Sequence, residues 1–163
     1  MARVYVSIGS NIDRVRNIGI ALQRLGDEYG TLIQSSVFES AAVGFDSAPF
    51  YNLVVGFDTE LAPQDVQNHL YEIEAASGRE RTGELSARTL DLDLLLYDDL
   101  VMDQGRLRLP RADITRYAFV LYPLAEIAPD ARHPVSGERF ADMWAAFNDD
   151  SQVLMRVDWP PAA

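Results

Sequence analysis

The sequence predicts an α+β fold, a mostly antiparallel sheet with helices packed against it. Three observations predict it: short alternating apolar segments, two stretches with helical periodicity between them, and an order in which a helix follows the first and third of four strands. Residues Val4–Gly9 alternate and end at Gly9-Ser10-Asn11, a strand running into a turn able to cap a helix. Ile12, Val15, Ile18, Leu22 and Leu25 recur at three- and four-residue spacing, the stripe of an amphipathic helix closed by Gly26 and Gly30. Thr31–Glu39 and Tyr51–Glu60 read as the second and third strands. Between them Ser40–Phe50 is a loop, unusually apolar for a surface connection. Pro63 opens a second helix at the position where a missing N–H costs nothing, with Val66, Leu70, Ile73 and Ala76 as its stripe and Gly78 as its stop.

Arg79–Ala87 is a polar loop, and Thr89–Asp98 the clearest strand of the chain. A turn near Gln104-Gly105 separates Leu100–Met102 from Arg106–Leu109. Ala112–Phe147 reads as short helices and loops broken by prolines, and Val153–Trp159 as a last strand. Strand-helix-strand-strand-helix-strand is the split β-α-β-β-α-β pattern of ferredoxin-like domains, here with appended elements in an α/β/α sandwich. No repeat or linker divides residues 1–163, so one domain is expected.

Composition narrows the function. A net charge of −11 and a pI near 4.5 argue against a nucleic-acid partner, which needs a positive surface. All 14 basic residues are Arg. Without Lys there is no P-loop chemistry and no Schiff base, so any phosphate is handled by Arg, metal ions or backbone amides. Cys is absent, which removes disulfides, thiolate nucleophiles and thiolate metal ligands. No apolar run is long enough to span a membrane and the N-terminus lacks a signal-peptide layout, so a cytoplasmic protein is expected.

The most informative segment is Thr89-Leu90-Asp91-Leu92-Asp93-Leu94-Leu95-Leu96. Side chains alternate along a strand, so Asp91 and Asp93 share one face while Leu90, Leu92, Leu94 and Leu96 turn to the core. Two like charges about 7 Å apart repel, and divalent cations relieve them; the spacing suits two Mg²⁺ ions that also coordinate phosphate. Alternation equally describes an ordinary half-buried strand with a wet polar face. The neighbourhood weighs against that bland reading. Arg79, Arg81 and Arg88 precede the pair, Arg106, Arg108, Arg111 and Arg116 follow it, and the guanidinium fork grips phosphate bidentately. A solvated loop whose arginines pair with Glu80 and Glu84 remains the alternative for that cluster.

Gly9-Ser10-Asn11, Phe50-Tyr51-Asn52, Gly78-Arg79-x-Arg81, Arg88–Asp93, Leu109-Pro110 and Ala118–Leu124 occur in that order. Over nearly the whole chain this resembles the 6-hydroxymethyl-7,8-dihydropterin pyrophosphokinases of folate synthesis, with Arg88–Asp93 the most specific stretch. The resemblance implies transfer of the terminal pyrophosphoryl group of ATP to the pterin hydroxymethyl oxygen, with release of AMP. It gives two Mg²⁺ ions to Asp91 and Asp93. Arg79 and Arg88 would bind phosphates and Arg81 would act as its loop closes. Glu74, Leu94 and Arg106 would lie along the nucleotide. Asn52, with backbone groups of Ser40 and Val43, would read the pterin edge. Phe119 would stack on the ring with Phe50 as a second wall. From the residues alone, ordinary packing accounts for both Phe side chains.

The sequence departs from the family pattern at several places. Arg111 follows Pro110 where the family has His, and would serve as a phosphate ligand instead. Tyr117 stands where an Arg precedes the stacking Phe by two residues, the loop between Arg81 and Arg88 is short and lacks a Trp, and Ser40-Ala41-Ala42 replaces Thr-Pro-Pro. The alternatives are a weakened relative that binds pterin or nucleotide without efficient transfer, or a ferredoxin-like regulatory module. The module has no need of Asp91 and Asp93 beside clustered Arg. A monomer is expected, and His69, His133, Trp144 and Trp159 read as structural.

Overall fold

In the computed structural model, residues 1–41, 48–77 and 90–161 are described. Five strands form the path of one antiparallel sheet in the order β5 (Asp91–Tyr97), β1 (Ala2–Ser10), β4 (Phe50–Thr59), β3 (Val37–Ser40) and β8 (Met155–Val157). A two-residue strand, β2 (Ile33–Gln34), also pairs with β4. The first four positions reproduce the ferredoxin-like order, with β8 added at the far edge. A hairpin of β6 (Met102–Gln104) and β7 (Leu107–Leu109) stands apart.

Helices cover both faces. On one, Ile18, Ala21 and Leu25 of α1 (Arg14–Tyr29) and Val66, Leu70 and Ile73 of α2 (Pro63–Ala76) meet Val4, Val6, Ile8, Leu53, Val55, Phe57, Leu90, Leu92 and Leu94. On the other, Ile114 of α3 (Asp113–Arg116), Val120, Leu121 and Leu124 of α4 (Ala118–Ile127) and Phe140 of α5 (Phe140–Ala145) pack on Tyr5, Val54, Leu95 and Leu96. Full burial of one such aliphatic side chain contributes about 1.5–3 kcal/mol, so each face alone represents a large driving force.

Three sequence expectations need correction. Ile12 and Val15 are 41% and 46% exposed: Ile12 precedes α1, which starts only at Arg14 after Asp13 in the left-handed region (φ 43°), and Val15 lies in the first turn, ahead of the buried stripe that begins at Asn17. The entry to α1 is fixed instead by buried Asn17, whose Nδ2 donates to the Ile12 carbonyl at 2.7 Å. The helix also runs through Gly26 to Tyr29 and ends at Gly30 (φ 81°). The second strand is broken at Ser35–Ser36, where the Ser35 hydroxyl accepts the Val54 N–H at 2.9 Å in place of a ladder partner. The expected stop of α2 at Gly78 lies outside the described residues.

The third correction concerns β5. Its register against β1 runs Val6↔Leu94 and then Tyr5↔Leu96, so Leu95 is an extra residue, a β-bulge. Alternation resets there. Leu95 and Leu96 both enter the α4-side core, whereas strict alternation sends Leu96 to the other.

Candidate active site

Register defines the face that α4 covers. Leu92 and Leu94 lie in the α1/α2 core, so Asp91 and Asp93 point to the α4 side. Gly9 pairs with Asp91 on one side and Asn52 on the other, and Asn52 pairs with Phe38. Ser7 likewise joins Asp93 to Val54. Asp91, Gly9 and Asn52 therefore form one row across three strands, spanning about 10 Å at ordinary strand spacing.

Gly9 lies inside β1, not in a turn, and its role is to be absent. A Cβ there would stand 3.2 Å from Asn52 Oδ1 and 3.6 Å from Phe50 Cδ1. The missing side chain lets the Asn52 amide and the Phe50 ring close down over the strand beside the carboxylates. Asn52 in turn donates through Nδ2 to the Ser40 hydroxyl at 2.7 Å, with both residues buried. That bond orients the amide. Phe50, paired with Ser40, is half-buried beside it.

Nearby, the end of β1 is tied to the returning loop. Asn11 Nδ2 donates to the Ala48 carbonyl at 3.1 Å, and Arg14 donates to the Pro49 carbonyl at 3.2 Å. The same guanidinium pairs with Glu39 at 3.0 Å and lies 3.8 Å over the Tyr51 ring. This explains Asn11 after the strand better than a helix cap does.

At the acidic end, β5 is the sheet's outer strand among the described residues, and its open edge is closed by side elements. Buried Glu74 of α2 accepts the Leu92 N–H at 2.9 Å. The Arg111 N–H donates to the carbonyl of the bulged Leu95 at 3.0 Å. So anchored, Arg111 stands with Nη2 3.5 Å from Asp93 Oδ1 and Nε 3.2 Å from Asp113 Oδ2. Burial, reinforced by the Asp91 charge, pushes the Asp93 carboxyl up to about 7, against the pull of Arg111; Asp113 and Glu74 add to the rise. Burial draws the Arg111 pKa down, but Asp93 and Asp113 together leave it raised.

Two crowded carboxylates, one held well above its ordinary range, fit a divalent cation: the ion removes the repulsion that protonation otherwise relieves. Among the described residues no group of three or more His, Cys, Asp or Glu side chains stands together as a metal site. Asp91 and Asp93 would supply two ligands, leaving the others to water and phosphate oxygens, as Mg²⁺ commonly accepts.

Other predicted residues are placed less centrally. Leu94 is only 2% exposed and packs in the α1/α2 core, because alternation turns it away from the acidic pair; its side chain does not line the site. Arg106 lies exposed in the β6–β7 turn, and none of the described ion pairs joins it to Asp91 or Asp93. Phe119 opens α4 half-buried, with Tyr117 stacked flat on it at 5.0 Å, so one ring face is already covered. Val43, Arg79, Arg81 and Arg88 lie outside the described residues. Asp113 and the Leu95 carbonyl were not anticipated. Nothing local marks a carbonyl at a bulge, and Asp113 reads simply as the acidic first residue of a short helix.

Comparison with known proteins completes the picture. Residues 5–129 match the family model described as 7,8-dihydro-6-hydroxymethylpterin-pyrophosphokinase. The chain is 39% identical over 149 residues to the 2-amino-4-hydroxy-6-hydroxymethyldihydropteridine pyrophosphokinase of Pseudomonas aeruginosa, covering 88% of this chain and 91% of that one. The enzyme of the same name from Aquifex aeolicus is 35% identical over 137 residues, covering 83% and 86%. The crystal structure of wild-type Plasmodium falciparum HPPK-DHPS superposes with a TM-score of 0.71 at 14% identity, over 88% of this chain and 44% of that one. That likeness concerns the fold alone, and the chain spans less than half the length of the fused protein. Fold, paired carboxylates and sequence relatives together define an ATP-dependent pyrophosphokinase, a diphosphotransferase. Within that class, the chain belongs to the 7,8-dihydro-6-hydroxymethylpterin-pyrophosphokinase family.

Proposed function

We propose that this protein catalyses Mg²⁺-dependent transfer of pyrophosphate from ATP to 6-hydroxymethyl-7,8-dihydropterin, a step of folate synthesis. The observation that carries it is the single row Asp91–Gly9–Asn52. It puts phosphate-handling groups at one end of a cross-strand row and a heterocycle-reading amide at the other.

In this reading Asn52, held by Ser40, pairs with the pterin edge, and Phe50 and the face of Phe119 away from Tyr117 flank the ring. Gly9 adds no side chain between the Asn52 amide and Asp91, along the row that the hydroxymethyl arm follows to the β-phosphorus. The hydroxymethyl oxygen bonds to that phosphorus, the bond from phosphorus to the α–β bridging oxygen breaks, AMP leaves, and the hydroxyl proton passes to solvent. Asp91 and Asp93 would hold two Mg²⁺ ions, which would neutralise charge on the phosphate oxygens. Arg111 contributes a fixed positive charge beside them. Arg79, Arg81 and Arg88 add guanidinium groups for the triphosphate, as their place in the sequence motif suggests. Glu74 keeps β5 in register beneath the site, where a shifted strand would move both carboxylates.

Incubation with ATP, Mg²⁺ and the pterin should yield AMP in step with pterin consumed, and Asp93→Ala should abolish it. ADP as product would refute pyrophosphoryl transfer. Pterin binding without turnover would favour the weakened relative.

A further inference from the structure

Arg111 is gripped from three directions. Its main chain is fixed by the hydrogen bond to Leu95, one edge of its guanidinium faces Asp93, and its Nε faces Asp113. Neither side-chain contact is a well-formed hydrogen bond: the Asp93 contact is 3.5 Å long, and Nε is buried without a hydrogen-bond partner. The guanidinium is a rigid plane with five donors, so drawing Nε toward one carboxylate decides where the opposite edge points. Charge attraction without tight hydrogen bonding holds the group near both acids and leaves it free to exchange one of them.

We propose that Asp113 is a positioning residue: it holds Arg111 by Nε, so that the guanidinium faces Asp93 while the metal is absent and presents its outer edge to the triphosphate once Mg²⁺ takes Asp93. The inference rests on Asp91 and Asp93 being the metal carboxylates. Arg111 and Mg²⁺ then compete for Asp93. Asp113 tempers that competition by sharing the guanidinium, and keeps Arg111 at hand when it is displaced.

Competition makes a prediction of unusual sign. Titrated with Mg²⁺ alone in a calorimeter, nucleotide-free Arg111→Ala should bind the ion about fivefold more tightly than wild type, since a rival cation a few Å away has gone. The same variant should bind α,β-methylene-ATP more weakly. Asp113→Asn should raise KM for ATP about tenfold with kcat changed less than about threefold, and this effect should shrink in the Arg111→Ala background, as expected for coupled neighbours. Asp113→Glu should restore most of the KM. Pterin binding, read by its fluorescence, checks that each variant is folded; should Asp113→Asn fail to fold, the Mg²⁺ titration of Arg111→Ala decides alone. Mg²⁺ affinity unchanged or weakened in Arg111→Ala, or an Asp113→Asn effect as large without Arg111 as with it, overturns the inference. Absence of AMP formation by the wild type is a separate failure, of the proposed function itself.

Discussion

The two faces of the sheet are built by the same strands and serve different ends. On the α1/α2 face the inward positions of β1, β4 and β5 are apolar along their middle, from Val4 to Leu94, with buried Ser10 and Thr59 only at strand ends, and helix side chains close over them. The α4 face is apolar only in part. Tyr5, Val54, Leu95 and Leu96 lie under the helices, and then the same strands turn polar or bare: Ser7, Gly9, Asn52, Asp91 and Asp93. The first face is committed to stability. The second leaves part of its area unpacked and accepts two repelling carboxylates there, which the first core can support.

The comparison can be broken most forcefully by crossing activity with stability. Asp93→Ala should lower kcat by about a thousandfold or more, the order seen when a principal charge-stabilising group is lost, with the melting temperature kept or raised. Leu70→Ala, on the opposite face and fully buried, should cost about 2–5 kcal/mol in denaturant unfolding and leave KM for both substrates unchanged. If instead Leu70→Ala disables catalysis in the folded enzyme, the faces are not separable.

A gentler probe is Gly9→Ala. The added methyl must press on the Asn52 amide oxygen, 3.2 Å from it, so pterin affinity should weaken about tenfold while metal binding stays as it was. Smallest is a pH effect in metal-free protein. The unfolded chain loses the Asp93 proton near pH 4, and the folded protein keeps it to about 7. Between those values the folded state binds more protons, so stability should fall as pH rises through that window. Asp93→Asn should flatten the slope. A slope of opposite sign in urea melts would show that the carboxylate is already well compensated.

Sequence patterns disclosed much of this architecture because the long elements are strongly periodic. The β1, β4 and β5 strands, both long helices and the ferredoxin-like order were all legible. Position of the acids on one face was legible too, since two residues of spacing suffice. What failed did so where tertiary contacts outrank local pattern. Ile12 and Val15 fit a helical stripe, yet Asn17 decides where α1 starts by binding the Ile12 carbonyl. Gly9 looked like turn chemistry, and only its neighbours on β4, Asn52 and Phe50, show what its missing side chain makes room for. Asp113 meets Arg111 through a short helix whose placement no local rule supplies.

The bulge at Leu95 has a consequence for reading relatives of this chain. Leu94-Leu95-Leu96 are chemically alike, so an alignment can slide by one residue there with little loss of score. The side chains, however, are out of phase on either side of Leu95. A single deletion within that run would remove the extra residue and make the ladder regular: Leu96 and Tyr97 would keep their layers, and the loss would fall on the carbonyl that seats Arg111, while the composition changes by one leucine.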